Sequence, residues 1–518
     1  MKELKIALAM IVRGNENPDD LIRCFNSVAR YVDGIFITVT QEDKGIKETA
    51  EKYGAVVDIQ PDTFNRVVTQ EEVDWFKGSL GWEPTIKAGD KLFQFDKARN
   101  HNFLQVPDTY DWILWLDTDD IVRGGEHLKE IAKAADERKP ERAESVFFNY
   151  IYQAEIVDGQ IKNIVIQHLR ERLIKAELVR NGVYKWIAPI HETLIEQRPT
   201  IKIDDPRCDV VHLSNIERMQ EAIQRNIRVL ESSIYDTQGH DPRPIYYLGK
   251  ACFDLRTTEN YDKALKLFNI YLSGTPEFNY TNKSGWAEER AQCWEYMAEV
   301  YRVRSEHNNS IKCLMNALIE SEKFPSVYLS AAYSYLLKQE YDRAIFWAKL
   351  AAQVPDPVTT LVINPRDNKA RFLEVMYHAN LNMSKLDEAW AAAQKLSELF
   401  PGQEEIQNRL KLTGGMKNQR ELTQMIMTIA NYLKQTGESY KLKPLLSAAP
   451  QDISQNPFMV DLYKQIYPPR VWMENEIAIF CGPGFTTWSP KKLKDPQGSF
   501  LGGSEEAVVY LSQELVKK

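Results

Sequence analysis

Between residues 291 and 355 the chain repeats itself. Trp294, Met297, Ala298, Tyr301, Ser310, Leu314 and Ala317 recur 34 residues later as Tyr328, Ala331, Ala332, Tyr335, Ala344, Ala348 and Ala351, and Pro355 closes the second copy. In each copy the first four positions share one face of a helix and the last three share one face of another. The small residues let two antiparallel helices approach closely, and the aromatics fill the space between neighbouring pairs. A pair of this kind cannot bury its apolar face alone, so the spacing predicts a stack. A looser copy runs from Ile245 through Leu248, Gly249, Tyr261, Ala264 and Phe268 to Pro276. A fourth runs from Leu373 to Pro401 through Ala389, Ala393 and Leu396.

Ahead of the repeats the pattern is different. From residue 1 to about 215, strand-like and helix-like segments alternate: Ile6–Val12, then an amphipathic stretch from Asp19 to Tyr31, then Ile35–Val39, a helix through Ile46, Ala50 and Tyr53, and Ala55–Ile59. Strand, helix, strand, helix, strand predicts a parallel sheet covered on both faces, with ligands beyond the carboxyl ends of its strands. The expected organisation is multidomain. An α/β domain spans 1–235, helical repeats 242–401, a helical cap or linker 402–470, and a partial α/β segment 475–518. In that last segment Ile477–Phe480 reads as a strand and Gly502-Gly503-Ser504-Glu505 opens a helix. A strand, a turn and one helix cannot bury a core, so this segment is expected to belong to a longer chain or to dock on the repeats.

Bulk properties exclude several classes. With 43% hydrophobic residues the chain is globular, and its net charge of −8 offers no electrostatic track for nucleic acid. No apolar run approaches the ~20 residues of a membrane span, and the first strand lacks the pattern of a signal peptide. Cys24, Cys208, Cys252, Cys293, Cys313 and Cys481 form no CxxC pair, which suits free thiols in the cytoplasm.

The chemistry concentrates at Trp112-Ile113-Leu114-Trp115-Leu116-Asp117-Thr118-Asp119-Asp120. Five apolar residues predict a buried strand, and three carboxylates crowd its carboxyl end. Such crowding is costly unless a cation neutralises it, and a divalent metal shared with substrate phosphates does so. Capping of the following turn by Asp119 and Asp120 is the plainer alternative.

With these residues in view, the first ~230 positions resemble the family-2 glycosyltransferases of the GT-A fold, in the branch fused to tetratricopeptide repeats, whose helix-pair pattern the repeats fit. Asp117-Thr118-Asp119 is similar to that family's Asp-x-Asp motif. Arg13-Gly14-Asn15-Glu16 resembles the end of its first strand, Phe95-Asp96-Lys97-Ala98-Arg99-Asn100 its Phe-x-x-Ala-Arg-Asn run, and Arg172-Leu173-Ile174 with Trp186–Glu192 two later stretches. The resemblance implies that Asp117, Asp119 and His212 hold Mn²⁺ or Mg²⁺. It also implies that Arg13, Asn15, Glu16, Thr40, Arg99, Asn100, Asp117 and Arg172 line the nucleotide-sugar site. Where the family carries a base-contacting Asp after its second strand, this chain has Val39-Thr40-Gln41-Glu42. A UDP-sugar is the favoured donor, and a protein, peptide or glycan the acceptor.

Residue chemistry supports roles beside the resemblance. A sugar leaving a diphosphate develops negative charge that a metal and Arg99 can stabilise, and an acceptor hydroxyl needs a base, for which Glu192 beside His191 is the candidate. His191 is also a possible metal ligand, and an imidazole such as His212 favours Mn²⁺ over Mg²⁺. One base suffices for an inverting displacement. Two other readings stay open: a tetratricopeptide scaffold with a degenerate glycosyltransferase domain, and a nucleotidyltransferase, which would need a basic glycine-rich loop after the first strand. Cys481-Gly482-Pro483, Trp488-Ser489-Pro490 and the Gly502 turn resemble the start of a GT-B glycosyltransferase domain. Removing residues 245–401 is expected to spare donor contacts and impair acceptor use.

Overall fold

The computed structural model describes residues 4–466 apart from 158–159, 214–218 and 275–285, and beyond 466 only isolated positions. The strand and glycine turn expected within 475–518, and Cys481, lie outside the described residues. The chain divides into two compact units after Gly415.

The first unit begins with β1 (Ile6–Val12), α1 (Pro18–Val28), β2 (Gly34–Val39), α2 (Ile46–Glu51), β3 (Val56–Ile59), β4 (Asn65–Val67), α3 (Gln70–Leu80) and β5 (Lys91–Phe93). It continues with α4 (Phe95–Leu104), β6 (Trp112–Trp115), β7 (Asp120–Arg123), α5 (Leu128–Glu137), β8 (Ser145–Val157), β9 (Gln160–Lys175), α6 (Ala176–Arg180), β10 (Tyr184–Ile187), β11 (Thr193–Glu196) and β12 (Lys202–His212). Eight strands form one sheet in the order β3-β2-β1-β6-β9-β8-β12-β7. The β3-β2-β1-β6 half is parallel, as the alternating pattern predicts. The other half is mixed: β9 runs antiparallel to both β6 and β8, β12 is parallel to β8, and β7 antiparallel to β12. A long β8–β9 hairpin causes the change, because its second strand returns beside β6 with no helical crossover.

Alternate residues of β1 face different cores, as a pleated strand requires. Ile6, Leu8, Met10 and Val12 pack with Leu21 and Phe25 of α1 and Ile131 of α5. Ala7 and Ala9 pack on the opposite face with Phe103 of α4, Trp115 and Trp186. Their small side chains leave room for the two indoles, which meet edge to face at 5.1 Å. Asn17 starts α1 by accepting from the Asp19 N–H at 3.1 Å, with Pro18 in the first turn.

The helical part of this unit comprises α7 (Met219–Asp236), α8 (Pro242–Asp254), α9 (Thr258–Ser273), α10 (Ala287–Val303), α11 (His307–Glu320), α12 (Pro325–Leu337), α13 (Tyr341–Ala351), α14 (Pro365–Asn382) and α15 (Leu386–Leu399). From α8 onward the helices pack in successive pairs joined by short turns. The repeated small positions Ala298, Ser310, Ala317, Ala332, Ala344 and Ala351 are all buried, while Trp294, Tyr301, Tyr328 and Tyr335 are half-buried. In the loosest copy Gly249 lets α8 and α9 close up, since a Cβ there would stand 2.8 Å from the Phe268 ring.

Where the sequence separates the α/β part from the repeats, the structure joins them. Val68, Phe76, Leu80, Ile86 and Leu92 share one core with Ile234, Ile245, Tyr246, Leu267, Phe268 and Ile363. The loop between α13 and α14 also pairs with the sheet: Gln167 and Ile363 exchange backbone hydrogen bonds of 3.0 and 2.9 Å, and the Leu169 N–H donates to the Thr359 carbonyl at 2.9 Å. Removing residues 245–401, which is expected to spare the donor contacts, would therefore cut through this shared core. A chain ending near Ser233 should expose this shared core and lose its sharp thermal transition and near-ultraviolet circular dichroism; a cooperative melt at the full-length temperature would contradict that.

The helix α16 (Glu404–Gln435) begins against the last pair, with Ile406 packed on Tyr377, Ala389 and Leu396. In the second unit its later turns place Ile426 and Ala430 against Leu442 and Leu446 of α17 (Leu442–Ala448). Ile453 of α18 (Gln451–Ser454) and Met459 and Leu462 of α19 (Pro457–Ile466) complete that small core. Among the described residues no helix is long and apolar enough to cross a membrane, and the five described cysteines are free and buried.

Candidate active site

The carboxyl ends of the parallel neighbours β2, β1 and β6 lie side by side at one edge of the sheet, where α/β sheets form their ligand crevice. At the end of β1, Gly14 lies so close to the loop after β2 that a Cβ would sit 2.0 Å from the Glu42 carbonyl oxygen. Only glycine permits this approach, and the Lys44 N–H donates to the Gly14 carbonyl at 2.8 Å. Thr40 seals the same junction from inside, its N–H and Oγ1 both donating to the Val12 carbonyl at 2.9 and 3.2 Å. Asn15 is exposed, and the half-exposed Arg13 comes within 3.9 Å of Glu16.

The three carboxylates after β6 have three different environments. Asp120 is fully buried. Its Oδ2 accepts from the Asp117 N–H at 3.0 Å and lies 3.2 Å from Arg172 Nη2. Its Oδ1 accepts from the Tyr150 hydroxyl at 3.0 Å and lies 3.3 Å from His212 Nδ1. The Arg172 guanidinium lies 3.9 and 4.3 Å from the ring centres of Trp115 and Tyr150 and donates to the Trp115 carbonyl at 3.3 Å. Asp119 is one-third exposed and stands 3.3 Å from the same His212 nitrogen. Asp117 turns instead to Arg99, whose Nη2 lies 2.8 Å from its Oδ1. Burial pushes the Asp117 carboxyl up, but Arg99 and Arg172 outweigh it and hold it well below the usual range. The crowding read from the sequence is thus offset by the protein's own cations.

A metal would find its donors one step along from the Asp-x-Asp pair. Ligand atoms of Asp119, Asp120 and His212 all lie within 4.8 Å of one another. Antiparallel pairing of β7 with β12 sets His212 opposite Asp120, and Tyr152 stacks on the His212 ring at 4.8 Å and 18°. Burial disfavours the imidazolium, yet acceptance by Asp119 and Asp120 raises this histidine to about 10. Two carboxylates and an imidazole are a donor set suited to Mn²⁺, with Asp119 and His212 reachable from solvent.

Beside this cluster Arg99 links two acids, donating from Nε to Glu192 Oε1 at 2.7 Å while it holds Asp117. The Arg99 guanidinium lies 4.3 Å from the centre of the Trp115 ring and Arg170 5.4 Å from it, so three arginines share one indole. Glu192 is buried; burial raises its carboxyl, but Arg99 and Arg170 overcome this and keep it below the usual range. His191 has left-handed backbone geometry at φ 52°, and Ala188 a few residues earlier has φ 70°. Non-glycine residues pay strain for this conformation, and such strain gathers at functional loops. The His191 ring stacks on Tyr247 of α8 at 4.1 Å and 11°, and burial, then Lys250, push it down to about 3. It stands outside the cation cluster and ties the loop to the helical part. Asn100 does similar work from α4, bonding both backbone groups of Trp186 at 2.8 and 2.9 Å.

Of the residues singled out in the sequence, Arg99, Asp117, Asp119, Arg172, Glu192 and His212 come together in one linked network. Arg13, Asn15, Glu16 and Thr40 form the β1–β2 rim, and Asn100 and His191 brace the loop. Asp120 as the buried anchor, and Tyr150, Arg170 and Tyr247, are contacts that the sequence pattern does not announce. For Asp120 the available signal was its place directly after the Asp-x-Asp pair; for the others no linear spacing announces a contact made by strand register.

No family model matches the chain, and no curated protein does. Among solved structures it is similar to a tetratricopeptide domain of Arabidopsis OM64, at 13% identity over 24% of this chain and 96% of that one, with TM-score 0.21. It is similar also to the second tetratricopeptide domain of human RPAP3 in complex with an HSP70 peptide, at 16% identity over 25% and 98%, TM-score 0.21. A third is Pseudomonas aeruginosa pilF, at 18% identity over 36% and 75%, TM-score 0.29. The helix-pair architecture rests on the chain's own repeat and packing.

Proposed function

We propose that this chain is a metal-dependent glycosyltransferase that moves a sugar from a nucleotide-sugar donor to a protein, peptide or glycan acceptor. The observation that carries the reading is the convergence of Asp119, Asp120 and His212 within 4.8 Å beside three arginines that lie within 5.4 Å of the Trp115 ring centre, at the end of strands whose crevice normally receives a ligand. Asp119, Asp120 and His212 would hold Mn²⁺ or Mg²⁺, and the bound cation would neutralise charge on the donor's diphosphate. Arg172 and Tyr150 orient Asp120. Arg99 presents a fixed positive charge at the crevice, where negative charge grows on the departing phosphate oxygen. Glu192 Oε1 is engaged by Arg99, and Oε2, which has no partner among the described residues, is the atom that takes the acceptor's proton. Its depressed pKa keeps that carboxylate ionised and ready at neutral pH.

Asp119→Ala tests the metal assignment without requiring turnover. The variant should lose Mn²⁺-dependent binding of UDP, by about 100-fold or more, while its ligand-free melting temperature stays near that of the wild type. Calorimetric titration of UDP with and without Mn²⁺ reads both arms; unchanged affinity would sink the assignment. A screen of nucleotide sugars for Mn²⁺-dependent stabilisation and hydrolysis then identifies the donor, and silence across the whole screen would favour the degenerate-scaffold reading.

A further inference from the structure

The loop that carries Glu192 is held from two sides, and one of them is the first pair of helices. Residues 188–192 join β10 to β11, just beyond the pairing of Ile187 with Thr193. Within this loop Ala188 and His191 have left-handed backbone geometry. Residues with a side chain keep that conformation only where their surroundings over-determine it. On the sheet side, Arg170 Nη2 donates to the Glu192 carbonyl at 3.4 Å and Arg99 holds the carboxylate. The Phe95 N–H, at the start of α4, donates to the Pro189 carbonyl at 3.1 Å. On the helical side stand Tyr247 and Arg243 of α8. The Tyr247 ring lies on His191 at 4.1 Å and 11°. Arg243 Nη2 donates to the His191 carbonyl and to the Tyr247 hydroxyl, each at 3.4 Å. Two consecutive carbonyls are thus taken by two arginines, one from the helical pairs and one from the sheet.

The grip does not end at α8. Arg243 Nη1 comes within 4.0 Å of Glu289, a buried carboxylate of α10 whose Oε2 accepts from the Tyr271 hydroxyl of α9 at 2.9 Å. Three helices of the array therefore stand behind one loop. We propose that Tyr247 and Arg243 are positioning residues for Glu192, so that the helical pairs set the geometry of the reacting centre. This role rests on the glycosyltransferase reading, in which Glu192 takes the acceptor's proton; the grip on the loop does not. Without the stack, His191 is free to leave its left-handed conformation, and Glu192, the next residue, turns with it. Arg99 can follow Oε1 through a small movement, so the loss falls on the aim of Oε2. A misplacement of about 1 Å at a reacting group costs on the order of 100-fold in rate. The candidate metal ligands come from other strands and should keep their places.

The test uses the full chain. Tyr247→Leu should speed hydrogen exchange at the backbone amides of residues 190–193 and leave β1 and β6 unchanged. Turnover is read as Mn²⁺-dependent release of UDP from UDP-glucose, UDP-galactose and UDP-N-acetylglucosamine. In Tyr247→Leu kcat should fall about 10- to 100-fold, with KM and the affinity for UDP within about 3-fold of the wild type. Arg243→Gln should give the same split more weakly. Tyr247→Phe keeps the stacked ring and should recover most of the turnover. Unchanged exchange in Tyr247→Leu would overturn the grip, and faster exchange with unchanged kcat would overturn the positioning role. So would a fall in kcat that phenylalanine does not relieve, or one that accompanies faster exchange across the whole sheet. A wild type that releases no UDP, in a chain whose loop is still loosened by Tyr247→Leu, would keep the grip and remove the glycosyltransferase reading on which its role rests.

Discussion

Asp120→Ala should destabilise the first unit by about 3–5 kcal/mol, the largest stability loss expected from any single change at the site. Asp120 is fully buried and meets Arg172, Tyr150, His212 and the Asp117 N–H. Alanine would strand the Arg172 guanidinium, which is itself buried, without its carboxylate and leave the Tyr150 hydroxyl with no acceptor. Asp120→Asn keeps the shape and one acceptor, so it should lose less and retain the fold. Urea unfolding followed by circular dichroism measures both. A loss below about 1 kcal/mol for alanine would mean that Arg172 is satisfied by Trp115 and its carbonyl alone.

Glu192→Gln should lower turnover by a factor of about 10² to 10⁴, the range for a lost general base. The ion pairs around it make the experiment more discriminating than the sequence suggested. Glutamine leaves Arg99 with Asp117, whose hold at 2.8 Å does not depend on Glu192, so donor affinity should change by less than about 10-fold. Steady-state kinetics with direct titration of UDP separate the two quantities. Turnover that survives at saturating donor, with donor binding lost, would make Glu192 a positioning partner of Arg99 and would leave the base unassigned.

Much of the architecture is legible along the chain because it depends on local periodicity. The strands Ile6–Val12 and Trp112–Trp115 appear where the sequence has continuous apolar runs, and the helix Pro18–Val28 covers most of the amphipathic stretch read from Asp19 to Tyr31. The paired helices appear where the 34-residue repeat puts small residues opposite one another. These features require only that neighbours in sequence share a face. The cluster of acids at the end of β6 is legible for the same reason: a buried strand delivers whatever follows it to the crevice.

Local pattern sets the kind of elements and the place where charge gathers; the division of labour within that charge belongs to the tertiary structure. Asp117, Asp119 and Asp120 are nearly equivalent as letters. They become an arginine-paired rim acid, a reachable donor and a buried anchor only because Arg99 comes from α4, Arg172 from β9 and His212 from β12. The same holds for His191, which the motif places beside a base and the fold lays on Tyr247, and for the shared core that binds the helical pairs to the sheet. Each of these contacts joins residues far apart in the chain. The energy of a charge depends on the burial and the counter-charges around it, and strand register and helix docking set both.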